Sequence, residues 1–86
     1  MIREPINVTN PGNRPPITTQ INGEDWSIRL EERYSPPGTP QLISVILRCY
    51  NEEHIYSVGI NGLFELQEIL TIAISNYLRK VKSYNI

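Results

Sequence analysis

The side chains best suited to chemistry in this 86-residue chain gather around one polar turn: His54, with Glu52 and Glu53 just before it, and Cys49 a few residues earlier. A metal or acid–base centre there would need further ligands, because His54 is the only histidine and Cys49 the only cysteine. Structural zinc takes four Cys or His ligands, so a solvated hairpin tip is the reading of this turn, with no metal. Nucleophilic catalysis by Cys49 fares no better. The residue falls in a β-branched run expected to face a core, and apolar surroundings disfavour the thiolate. No serine stands in a glycine-flanked elbow. Asn61-Gly62, at the expected start of a helix, could offer free amides to an anion, yet no glycine-rich loop precedes it and no lysine follows. It reads as a helix cap. These residues predict a protein with no catalytic group and no cofactor.

The remaining candidates are cationic and aromatic. Arg29, Arg33 and Arg48, with Tyr50 and Ile46, fall at positions that strand alternation places on one side of a sheet. Arginine and tyrosine are favoured at protein interfaces. The expectation is therefore an interaction face made of Arg29, Arg33, Ile46, Arg48 and Tyr50, taking a protein partner or pairing two copies as a homodimer. A solvated face with mixed salt bridges is the plain alternative, common in antiparallel sheets. The second functional reading is a small anionic ligand, such as a nucleotide, held by the same arginines, whose guanidinium groups suit phosphate geometry.

The elements that must position these residues follow from periodicity. Ile17, Thr19 and Ile21 alternate with polar neighbours, and Asn22-Gly23 follows as a candidate tight turn. Trp26, Ile28 and Leu30 alternate with Ser27, Arg29 and Glu31. Residues 35–40 hold Pro36, Pro37, Gly38 and Pro40 and form a loop. Residues 41–50 are the strongest strand, and residues 55–60 form another after a turn at residues 51–54. A helix over residues 63–81, capped by Asn61, carries a stripe of Leu63, Leu66, Leu70, Ala73, Tyr77 and Val81, widened by Ile69, Ile72 and Ile74. Glu65 and Glu68 near its start and Arg79, Lys80 and Lys82 near its end suit the helix dipole. Placing Tyr50 opposite Ile55 puts Val45, Leu47, Cys49, Tyr56, Val58 and Ile60 on one face. The same parity brings Trp26, Ile28, Leu30, Ile17 and Thr19 to it. A one-residue slip would break that agreement.

The expected fold is α+β: a four-stranded antiparallel meander, with three strands as the alternative count, packed on one long C-terminal helix. Residues 1–16, with Pro5, Pro11, Pro15 and Pro16, read as a flexible arm. Residues 17–82 form the single domain and residues 83–86 a tail. Forty per cent of the chain is apolar, enough for a globule. A domain of this size buries only about 60–65% of its unfolded surface, so its margin is thin.

A formal net charge of −1 gives no basic excess for nucleic acid. No apolar run is long enough to span a bilayer, and the first residues lack a secretory signal. With a single cysteine, these point to the reducing cytoplasm of a bacterium or of a virus infecting one.

The segment over residues 56–67 resembles a group of small uncharacterised bacterial proteins that end a short antiparallel sheet with glycine, an aliphatic and aspartate before a long amphipathic helix. Gly59, Ile60, Leu66 and Gln67 fit the pattern. Asn61 stands where that group has aspartate, and Phe64 and Glu65 where it has glutamine and alanine. The resemblance implies a sheet-then-helix fold and supplies no activity. A non-enzymatic interaction module, of the order of a small immunity, inhibitor or accessory factor, is the functional expectation.

Overall fold

The computed structural model describes residues 14–84. Four strands, β1 (Thr18–Asn22), β2 (Trp26–Glu32), β3 (Ile43–Cys49) and β4 (Glu52–Val58), form one antiparallel sheet in sequential order, followed by a helix, α1 (Ile60–Tyr84). This is the α+β meander that the alternation predicts. The flexible-arm expectation for residues 1–13 lies outside the described residues. Arg14 is tied to the sheet, and the helix runs through residues 83 and 84, where the sequence predicts a tail.

Both tight turns sit two residues from their expected places. Gly23 donates its amide to the Trp26 carbonyl at 2.6 Å, so the first hairpin turns on Glu24 and Asp25 and not on Asn22-Gly23. Cys49 pairs with Glu52, so the last hairpin turns on Tyr50 and Asn51, and His54 belongs to β4 opposite Leu47. Tyr50 occupies the left-handed region at φ 55°, a conformation that costs a bulky residue on the order of 1–2 kcal/mol. Asp25 of the neighbouring turn is the chief cause that raises the pKa of its phenol. The β2–β3 connection follows its sequence more closely. Thr39 donates to the Pro36 carbonyl across Pro37-Gly38, and Gly38 takes the φ of 82° that the third position of such a turn requires. Gln41, buried, closes the loop by donating to the carbonyls of Arg33 (2.8 Å) and Leu42 (2.9 Å).

Because each turn is displaced by two residues, every side chain keeps its face. Ile21, Ile28, Leu47 and His54 form one cross-strand row, and Thr19, Leu30, Val45 and Tyr56 the next. We call this the apolar face. The opposite, polar face carries Arg29, Ile46 and Ile55 in one row and Ser27, Arg48 and Glu53 in another.

The helix does not lie across the apolar face, contrary to expectation. It begins at Ile60, one residue after β4 ends, and Gly59 takes the capping position: its carbonyl accepts the amides of Gly62 (3.1 Å) and Leu63 (3.3 Å). Asn61 is therefore inside the first turn. Gly62 packs so close to Val58 that a Cβ there would stand 3.0 Å from the valine Cβ. Beyond these first turns the helix leaves the sheet, and none of its residues is buried. At about 1.5 Å per residue, the 25-residue helix is about 37 Å long. At about 3.3 Å per residue, a seven-residue strand is about 23 Å long. Their sum matches the 57 Å long axis, while the short axis is only 15 Å. Sheet and helix lie nearly end to end in one layer.

The consequence is that the described residues form no closed core. Val45 is the one apolar side chain buried among the described residues. The radius of gyration is 16.5 Å, against roughly 12 Å for a compact domain of this length. The exposed surface is 7260 Å², well above the roughly 5200 Å² of a compact protein of this mass.

One ionic clamp fixes the start of the sheet. The Glu32 carboxylate accepts two guanidinium N–H groups of Arg14, one at 2.9 Å, and the backbone amide of Ile17 at 2.9 Å. Chiefly the Arg14 bonds, and then the Ile17 amide, lower its pKa from 4.5 to about 2. A carboxylate with a lowered folded pKa stabilises the fold fully above its unfolded value and loses that contribution as pH falls through the folded one. Glu32→Gln should therefore unfold more easily than the native chain at pH 6, and the two should converge as pH falls from about 4.5 to 2. Denaturant midpoints at both pH values check this.

Candidate functional interface

The polar face brings together most of the residues that alternation places there. Arg29, Ile46 and Arg48 line a shallow depression of about 230 Å³ with Gln20, Ser27 and Glu53. Its charge is largely satisfied internally. Arg29 pairs with Glu31 at 2.7 Å. Arg48 holds Glu53 through Nη2 at 2.7 Å and Nε at 3.2 Å. Arg33 lies past the end of β2, donating to the Ser57 hydroxyl at 3.3 Å. Tyr50 stands apart, exposed on the β3–β4 turn. An anion entering here would have to compete with carboxylates already bound to two of the three arginines.

The turn residues that first invited a catalytic reading are also relocated. Glu52 and His54 share the apolar face with Cys49, and His54 Nε2 lies 3.9 Å from the Glu52 carboxylate. Both Glu52 and His54 side chains are largely exposed, and none of the described cavities is lined by them. Among the described residues no three His, Cys, Asp or Glu side chains converge as metal ligands.

The feature that sequence reasoning missed is the apolar face itself. Alternation marks it as interior, but it is open. Trp26 is 58% exposed, Ile21 63% and Tyr56 53%. An open groove of about 300 Å³, lined by Val45, Leu47, Tyr56, Val58, Gly62 and Leu66, runs where the helix departs from it. The helix carries a matching surplus: Leu66, Leu70, Ile74 and Tyr77 follow one another along a stripe and are all exposed. Ile72, assigned to this stripe from the sequence, falls about 200° around the helix from Leu70, on the opposite side. A monomer rarely exposes contiguous apolar surface beyond a few hundred Å². About ten large side chains, each with half of its area exposed, bring this chain to roughly 800 Å² or more, the share each partner buries in a stable protein–protein contact. No described helix is long and apolar enough to cross a membrane.

Compared with protein-family models, curated proteins and solved structures, the chain matches none.

Proposed function

We propose that this protein is a non-enzymatic interaction module that works by protein contact through the apolar face of its sheet and the apolar stripe of its helix. The observation that carries the reading is that exposed surface: a sheet must bury its hydrophobic face against another layer, and among the described residues none supplies that layer. The arginine-bearing polar face stays outside such a contact, its guanidinium groups held by Glu31 and Glu53. That arrangement suits a solvated surface or a secondary contact, and it leaves the anionic-ligand reading with no observation in its favour. A small accessory, inhibitor or immunity factor acting in a reducing cytoplasm is the kind of protein this describes.

Two single changes, one per face, test it. Trp26→Lys puts a charge on the apolar face, so association should be lost and the separated chains should be left largely unfolded. Ile46→Arg puts its charge on the polar face and should leave association unchanged. Sedimentation velocity of each purified variant beside the native chain reads the difference. Equal behaviour of all three would remove the apolar face from consideration, and loss only in Ile46→Arg would move the contact to the polar side.

A further inference from the structure

We infer that the occupant of the apolar face is the helix of a second copy of this chain, so that two protomers exchange helices in a two-fold dimer. This rests on the contact reading above and names its partner.

Three observations lead there. The first is the link between sheet and helix. Only Gly59 separates Val58 from Ile60, and one residue advances the chain about 3.8 Å. Packed layers lie about 10 Å apart, and connections that return a helix onto its sheet take about 2–6 residues. A link this short does not turn the helix back over its own face, and Gly62 lies close against Val58 at the junction. A helix that leaves its own sheet but is built to cover one is the condition for exchange between identical chains.

The second observation is area. The sheet face and the helix stripe are both uncovered by the described residues and both present in every copy, so one two-fold operation satisfies both at once. The surface that the single chain exposes beyond that of a compact protein of its mass is as large as an obligate dimer buries.

The third is charge. The two hairpin turns, one made of Glu24 and Asp25 and the other followed at once by Glu52, lie at the end of the sheet opposite to the one from which the helix leaves. With the helix-bearing ends of two sheets facing each other, each helix crosses the other sheet from that end to its turns. In its last two turns Lys80, about 80° around the helix from Leu70, lies nearest the stripe and then comes close to Glu24, Asp25 and Glu52 of the partner subunit, while Arg79 falls on the opposite side. A helix of about 37 Å is long enough to cross strands of about 23 Å and reach those turns.

The test lengthens the link. The native chain should show twice its 9.9 kDa mass by light scattering. A chain with a flexible Gly/Ser segment of about six residues inserted between Gly59 and Ile60, refolded at low concentration, should fall to the single-chain mass with its circular dichroism retained. An insertion that leaves the mass doubled overturns the exchange of helices. A native chain that is folded at the single-chain mass overturns the second copy, and ANS then separates the two readings. Dye binding abolished by Trp26→Lys leaves the apolar face free for a different partner, whereas a folded single chain that binds no dye overturns the contact reading as well.

Discussion

Leu70→Glu should dissociate the protein and leave its chains largely unfolded, although Leu70 is 56% exposed in the single chain. Judged on that chain alone the change is mild. Glutamate is about as good a helix former as leucine, and exposed substitutions usually fall within about ±0.5 kcal/mol. In the exchanged dimer the same position lies against the sheet of the partner. Truncating a buried leucine there costs roughly 2–5 kcal/mol, and replacing it with an unpaired charge costs more. Each change is made twice per dimer. Ile72 supplies the internal control: it is 43% exposed but stands on the opposite side of the helix, so Ile72→Glu should be close to neutral. Urea denaturation of both variants at one protein concentration gives the comparison. Similar midpoints for the two variants would mean that the stripe has no partner.

The sheet was legible in the sequence because its information is parity, and parity survived the errors. Asn22-Gly23 is a strong turn signal, yet the chain turns on Glu24-Asp25. The polar run over residues 51–54 suggests a loop, yet the turn is Tyr50-Asn51 and β4 begins at Glu52. Both displacements are two residues, so Val45, Leu47, Tyr56 and Val58 stay together on one face. Nothing in a tyrosine announces positive φ; Tyr50 adopts it because the pairing of Cys49 with Glu52 leaves only two residues for the turn.

The helix shows where periodicity stops. Leu66, Leu70 and Tyr77 state that a stripe will be covered, and they say nothing about which chain supplies the cover. That is decided by the length of the link at Gly59. The link was hidden because Ile60 continues the alternation of β4 while serving as the first helical residue, and because Asn61 resembles a cap. The polar face was legible in its residues but not in its pairing. Arg29, Arg48 and Arg33 read as available cations, and the register places Glu31, Glu53 and Ser57 within their reach.

The central claim, that this fold closes only with a second copy, is tested most directly by the concentration dependence of unfolding. For a dimer that unfolds to two separate chains, stability depends on protomer concentration, and each tenfold change is equivalent to about 1.4 kcal/mol. Over a hundredfold range, from about 1 to about 100 μM, the denaturation curve should therefore move by about 2.8 kcal/mol, with a higher midpoint at the higher concentration. Trp26, the only tryptophan, reports it, because it sits on the apolar face beside Cys49 and is covered only in the dimer. A midpoint that rises with concentration, while the slope of the transition stays constant, is the expected result. A cooperative transition with the same midpoint across that range would contradict the account, since a single chain would then be closing its own core.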